Sequence, residues 1–587
     1  MKEDNLHNNN VVVSVQVDGK ETQFAPYVVS VDTSTELHKL ATAEIILRDG
    51  GLDDTDFIIG ESDCFEIGKE ITVMVGNDKA DNCIFRGLIE LQSIQLEENE
   101  TYMKVTAKHA AYRMTLERKF RTFEDSTDKD IIQQICSEYN IAVKMVDTNV
   151  QHEKQVQYNC SDWDFINMRA EAMGLVLYTG PDGIVIEKPN PNANAELAIT
   201  NGYNLCSMDM EMDARSAAKE FKVDIWNYTI QDIENVSENT GNWEVSQGSL
   251  KSLALADKND ISENHMYQMT HQENPDIAMA ANIARSMRNQ LSRIVGQVEI
   301  WGYAPLLPLH MVEFRKIGKR FNGAALVSAV YHRIDGQNWR TTLSTGLSNI
   351  PYVECYNNIA TAPADGQIPA ANGLQIAIVK ALEGDPLGEE RIQVALMNNK
   401  NALVWARLAL LDAGNERGTA FCPEIEDEVV VGFINDNPNQ AVVLGMLHSS
   451  SIPSPIAKSN DNHHKGIISR EKLQILMDDE KKILTLSTPG GNKLMLDEDQ
   501  GGIYMEDQNG NKITMDSNGI TLVSDKAITI KAKQDISVEG NNVNAKANAQ
   551  LKLEGTAGSE LSASGNTVVK GAIVKILGHQ DDPGVDI

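Results

Sequence analysis

Long apolar runs are missing from this chain of 587 residues, and none approaches the roughly 20 residues that a membrane-spanning helix needs. The opening ten residues are polar and lead into alternating, strand-like sequence, so no secretory leader is visible and export is expected to be the work of other components. The 7 cysteines (Cys64, Cys83, Cys136, Cys160, Cys206, Cys355, Cys422) are odd in number and scattered. That pattern argues against a disulfide framework and for free thiols in a reducing compartment. Basic residues are outnumbered, 52 to 84, and the net charge of −32 repels a phosphate backbone, so nucleic acid is not an expected partner. The densest basic group, Arg315, Lys316, Lys319 and Arg320, falls between two strand-like runs and reads as a solvated hairpin turn.

Catalytic signatures are also missing. There is no Gly-x-Ser-x-Gly elbow, and the Gly-Lys pairs at Gly19, Gly68 and Gly318 are followed by Glu, Glu and Arg where a phosphate loop needs Ser or Thr. His463-His464 lack a helical partner four residues away and read as loop residues. Asp497 to Gly502 faintly resembles a calcium loop, but Gln508 stands where the bidentate Glu belongs, so a Gly-rich turn is the better reading. No catalytic residue, cofactor or metal ligand is assigned.

What is present is a sequence of ordinary globular composition, 42% apolar and 23% charged, and too long for one core. Short alternating runs at residues 11–17, 43–47, 71–75, 84–89 and 103–107 predict a small antiparallel β-barrel over 1–110. A mixed α/β segment over 111–199 contains one well-bounded helix. Ser161 caps it, Asp164 sits in its first turn, Phe165, Met168 and Ala172 share a face, and Gly174 supplies the stop. A hairpin turned at Pro181 to Gly183 follows. Residues 200–350 form a second β-rich unit around one helix, whose stripe is Ile277, Ala280, Ala281, Ala284, Met287, Leu291 and Ile294. A linker over 351–372 leads to a block at 373–450 whose five short strands predict a small five-stranded barrel of the oligonucleotide/oligosaccharide-binding (OB) type. A second linker is expected at 451–480.

The last hundred residues nearly lack aromatics and carry a repeat. Ile520, Ile528 and Ile536 are spaced by eight, as are Leu522, Ile530 and Val538. After a slip near Gly540 the spacing resumes through Ala545, Leu553, Leu561, Val569 and Leu577. Alternation within each unit predicts strands. Eight residues cannot complete a turn of a single-chain β-helix, and one chain alone would leave its apolar face and strand edges open. Three intertwined chains would each supply one face of a prism and share an axial core over 481–587, with Ile520, Ile528, Ile536, Leu553, Leu561, Val569 and Leu577 in it. A homotrimer is expected.

At this point the chain resembles the VgrG family of type VI secretion spikes, itself similar to a phage tail hub fused to a tail spike. The resemblance covers nearly the whole length. It rests most on Asp385-Pro-Leu-Gly388, Arg391-Ile-Gln-Val394, Trp405-Ala-Arg407, Ala413-Gly414, Gly418, the run from Phe421 to Val429, Val431-Gly-Phe433, Asn437-Pro438 and Val442 to Gly445. The segment Gln157 to Phe165 with Arg169 and Gly174 is similar to the family's hub helix, and Asn322-Gly323 to His332 to the end of its second barrel. Leu309-His310 departs from the family's Pro-Gly before a hub strand. The resemblance implies a mainly β fold of two hub barrels with an α/β insert, an OB barrel and an intertwined trimeric needle. It also implies a structural spike that is no enzyme, caps a hexameric Hcp tube, meets baseplate proteins, receives a PAAR-repeat tip protein, carries effector cargo and touches the target membrane transiently. Such a spike is assembled in the cytoplasm and delivered by the apparatus. No fused catalytic domain is expected after the last octad, and His579 alone makes no metal pair. Ile576, Leu577 and His579 are the candidate tip contact. The alternatives are the spike of a phage tail or an extracellular phage-like particle and, in another class, a tail-associated cell-wall hydrolase. A surface adhesin stalk lacks its export signal or anchor.

Overall fold

The computed structural model describes residues 10–50, 57–97, 100–239, 243–259, 264–269, 275–397 and 402–576. It separates into two compact units, 1–445 and 446–587.

In the first unit, where two hub barrels were expected, strands from both halves form one sheet of 13 strands. Strands from the first half, such as Thr42–Arg48 and Thr101–Lys108, alternate buried and half-buried side chains along their length, the period-2 pattern of a sheet with one face in a core. Val28–Glu36 then pairs antiparallel with Gly323–Asp335, from Glu36 opposite Ala329 to Ser30 opposite Asp335. This seam binds the halves together. The core of the first half (Val31, Ile45, Leu47, Phe65, Ile71, Val105) takes in Ile334 and Trp339 from the second. The second half keeps its own core around Ile199, Val298, Ile300, Phe314, Val327 and Leu343. Gly323, at φ +115°, enters the seam strand where a Cβ would meet the Ser246 carbonyl oxygen at 2.5 Å, so no other residue fits without movement.

Five α-helices are described: α1 (Asp128–Glu138), α2 (Asp162–Ala172), α3 (Ser252–Asn259), α4 (Pro275–Leu291) and the single turn α5 (Tyr352–Cys355). Thr127 and Asp130 close a capping box on α1, and the Ser161 hydroxyl accepts from the Asp164 amide at 3.1 Å to start α2. Gly174, at φ +68°, ends α2 as expected. The apolar face of α2 is wider than the predicted stripe. Trp163, Phe165, Ile166 and Ala170 are buried, whereas Met168 and Ala172 are half-buried, because α2 is enclosed by α1, the strand pair Arg118–Thr127 and Gln151–Ser161, and the hairpin Val176–Gly180 and Gly183–Glu187. On α4 the stripe holds at Ala284, Met287 and Leu291, but Asn282, Ser286 and Asn289 are buried too. Backbone carbonyls account for two of them: Asn282 donates to Phe221 O and Asn289 to Ser216 O. Ile294 lies past the helix and opens the strand Ile294–Trp301. The predicted linker at 351–372 is docked at its start. Tyr352 and Ile359 join the core around α2, and Arg118 donates to the Ile359 and Asn159 carbonyls.

The five-stranded barrel is closed in the order Gln375–Ala381, Ile392–Leu396, Leu403–Leu408, Ala441–Met446, Glu428–Phe433. Val379, Val394, Ala406, Val429, Val431 and Val443 fill it. The second unit holds one sheet of 7 antiparallel strands running from His464–Ile468 to Gly519–Val523. It therefore starts inside the stretch expected to be a linker, and His464 opens its first strand.

One buried relay crosses the seam strand. The Tyr303 amide donates to Thr341 Oγ1 at 2.9 Å, Thr341 Oγ1 lies 3.0 Å from His332 Nδ1, and Trp339 Nε1 donates to the same nitrogen at 3.4 Å. Indole is only a donor, so Nδ1 accepts and His332 is neutral. Burial pushes His332 down to about 4, and likewise His109 and, with Arg288 nearby, His38. The unfolded chain then binds more protons than the folded one between roughly pH 6.5 and 4. Stability is expected to fall as pH drops through that window, and thermal midpoints measured from pH 7 to 4 should show a shallower decline in His332→Gln than in the wild type.

Candidate functional site

The second unit presents an apolar face that the described residues leave uncovered. In the sheet register, Ile467, Ile475, Leu486, Leu494, Met505, Ile513 and Leu522 stand opposite one another in a row across the strands. A second row, Met477, Leu484, Leu496, Ile503, Met515 and Ile520, lies two residues along on the same face. The opposite face is mixed, with Thr485, Lys493, Tyr504, Thr514 and Thr521. Apart from Lys465, opposite Met477 on the edge strand, this face is apolar, yet Met477, Leu496, Met505 and Leu522 remain exposed and Ile520 is 72% exposed. Covering one such side chain contributes roughly 1.5–3 kcal/mol, so an apolar face of this extent calls for a partner surface.

The octad series grows out of that face. Ile520, its first member, closes the second row, and Leu522 closes the first. From 524 to 576 the described chain forms no strand or helix, and Ile528, Ile536, Leu553, Leu561 and Val569 are all more than half exposed. Ile576 is 75% exposed, whereas Leu577 and His579 lie outside the described residues. The structure therefore brings together Ile520 and the sheet rows but not the later octad positions. The sheet rows preceding 520 were missed in the sequence because turns of varying length break their spacing; the alternation Ile475-Leu-Met477, Leu484-Thr-Leu486, Leu494-Met-Leu496 was their available signal.

The motif residues of the small barrel hold loops. Asp385 accepts from the amides of Leu387, Glu389 and Arg391 and from the Arg391 guanidinium, and these bonds hold its carboxyl far below the usual range. Gly418, at φ +134°, sits where a Cβ would meet the Asp412 carbonyl oxygen at 2.4 Å. Asn437 closes the turn before the last strand by accepting from the Asn439 amide.

Buried charge in the first unit is likewise paired. Asp128 accepts from Arg169 at 2.6 Å and contacts His152 at 2.9 Å, while Asp162 gathers Lys119, Arg121, Tyr139 and Gln157. Burial alone would raise both carboxyls, but these donors outweigh it and lower them. The result is a clamp between α1, α2 and the strand pair, with no acid or base left poised for catalysis on either carboxylate. Asp497 turns the chain into Gly502–Glu506 by accepting from the Gln500 amide at 2.8 Å. Among the described residues, no three His, Cys, Asp or Glu side chains converge on a metal-sized space.

Comparison with known proteins gives these features a class. Residues 375–448 match the type VI secretion system/phage-baseplate injector OB domain, and residues 483–552 match the phage baseplate V C-terminal trimerisation domain. The chain therefore carries two domains of the phage-like injection type. Residues 7–336, more than half of the chain, match the Alg8 N-terminal domain, so the chain belongs to that family, and its other matches are to spikes of the VgrG type. The actin cross-linking toxin VgrG1 of Vibrio cholerae is 23% identical over 514 residues, 78% of this chain and 42% of that protein. The type VI secretion system spike protein VgrG1b of Pseudomonas aeruginosa is 24% identical over 126 residues, 20% of this chain and 16% of that one. The chain thus spans less than half the length of the curated relatives it matches. A 43 kDa prophage MuSo2 tail protein from Shewanella oneidensis superposes with a TM-score of 0.45 at 11% identity, over 58% of this chain and 99% of that one.

The Asp385 clamp yields a local test. In Asp385→Ala, amide hydrogen exchange at Leu387, Glu389 and Arg391 is expected to quicken while the strands Ile392–Leu396 and Glu428–Phe433 keep their protection. Uniform loss across the barrel would show that the clamp holds the barrel itself.

Proposed function

We propose that this chain is the trimeric spike of a contractile injection apparatus, a mechanical part and not an enzyme. The observation that carries the reading is the apolar face of the second unit, prolonged by the octad series. Three copies would turn these faces toward one axis, with Ile520, Ile528, Ile536, Leu553, Leu561, Val569 and Leu577 in a shared core, and strand edges would pair between chains. The match of residues 483–552 to a trimerisation domain supports this. The joined hub sheets form the base that caps the Hcp tube and meets the baseplate, the small barrel is a collar, and the needle carries a PAAR-repeat tip and effector cargo through the target membrane. No described helix is long and apolar enough to cross a membrane. A needle driven by a contracting sheath needs none. The chain assembles in the cytoplasm and leaves with the apparatus.

Light scattering on the purified chain tests the central claim. A mass about three times the 64.6 kDa of one chain is expected, falling toward that of a monomer when the chain is cut near Ser450. A monomer at full length would refute the shared needle. The tip contact assigned to Ile576, Leu577 and His579 has its own check: a chain ending at Gly565 should lose binding of a PAAR-repeat protein in a pull-down, and unchanged binding would move that contact elsewhere.

A further inference from the structure

The hub carries a second feature that one chain leaves unfilled. The strands Glu220–Asn227 and Asp232–Asn239 form a hairpin whose tip holds four large apolar side chains in the open: Trp226 (46% exposed), Tyr228 (66%), Ile230 (59%) and Ile233 (50%). Trp226 stands opposite Ile233 in the register. The turn is set in advance: Asn227 Oδ1 accepts from the Thr229 amide at 2.9 Å, and Asn227 Nδ2 donates to Glu234 at 3.0 Å. Exposed aromatics on a pre-formed turn are interface anchors, since burying them costs little ordering entropy. Asp224, Asp232 and Glu234 flank the tip, so it is apolar with an acidic rim and unsuited to an anionic membrane.

The complement lies on the same unit. Between α2 and α4 a cleft of about 530 Å³ is walled by Met168, Ala281, Ala284 and Val353, and Arg285 and Arg288 line it. Arg288 ties down the Ser348 and Ile350 carbonyls and neutralises Glu171, fixing the cleft's shape. Lys222, paired with Glu220 at 3.1 Å, and Glu354 also line it, so once Glu171 is matched by Arg288 the cleft's edge keeps two cations, Lys222 and Arg285, to one carboxylate in a chain where acidic residues outnumber basic ones 84 to 52. Phe221, at the base of the hairpin, lines the cleft as well, and Asn227 lies six residues further along the strand, roughly 20 Å away at 3.3 Å per residue. The tip therefore projects away from its own cleft.

We infer that the hairpin tip of one protomer seats in the α2–α4 cleft of the next, a head-to-tail contact that closes the base of the trimer as a ring. This rests on the trimeric reading above. Such a contact between unlike patches closes under threefold rotation and satisfies every tip and every cleft, whereas a two-fold dimer would need one patch to match itself.

Cross-linking of the full chain tests it. In a background with the exposed Cys206, Cys355 and Cys422 changed to Ser, Ile230→Cys together with Ala281→Cys should give covalent dimers and trimers with a short bis-maleimide, and neither single variant should. Adding Tyr228→Asp should cut that yield about tenfold or more while light scattering still reports a trimer, because a hot-spot loss exceeds roughly 2 kcal/mol. A particle of trimer mass without the covalent ladder overturns the head-to-tail contact and leaves the needle reading standing. A particle of monomer mass overturns both.

Discussion

The apolar face of the seven-stranded sheet is the constraint on which the rest depends. Alternation forces every second side chain of a strand onto one face, and here that face is filled from Ile467 to Leu522 with Ile, Leu and Met. A single layer of strands has nothing of its own to lay over such a face. In the proposed spike the cover comes from other copies of the chain. The small barrel, by contrast, has closed its own edges and asks for no such cover. The stiffness proposed for the spike would follow from the same source, because a core shared among chains cannot be bent without disturbing pairings on every side.

The first unit spends its buried polar groups on holding geometry. Asp128 and Asp162 each gather several donors from different elements, and Arg118 binds the incoming chain at Asn159 and Ile359. Removing one partner of such a set leaves a buried charge unmatched, which is why these clusters specify a single arrangement of α1, α2 and the strands around them. His332 plays a similar part at the seam, where two donors converge on one ring nitrogen.

Much of this was legible in the sequence, and the misses have physical causes. The five strands of the small barrel fall inside the block predicted at 373–450, because each is a short alternating run bounded by turn residues. The cap at Ser161 and the stop at Gly174 were readable since capping is local chemistry. The burial of Asn282, Ser286 and Asn289 on α4 was not: polar residues read as solvent-facing until the carbonyls that receive them are in place. The seam between Val28–Glu36 and Gly323–Asp335 was hidden as well, since pairing between strands about 300 residues apart leaves no mark in local periodicity. The docking of Tyr352 and Ile359 escaped because Ala, Asn and Pro around them resemble a spacer.

The seam also sets a clock on biosynthesis. Val28–Glu36 finds its Thr42–Arg48 neighbour almost at once, but its other edge stays open until Gly323–Asp335 has left the ribosome. At about 5–20 residues per second that interval is on the order of 15–60 s. Throughout it the newborn half-sheet presents the bare edge of Val28–Glu36 to its surroundings, an open pairing surface that the finished fold no longer shows.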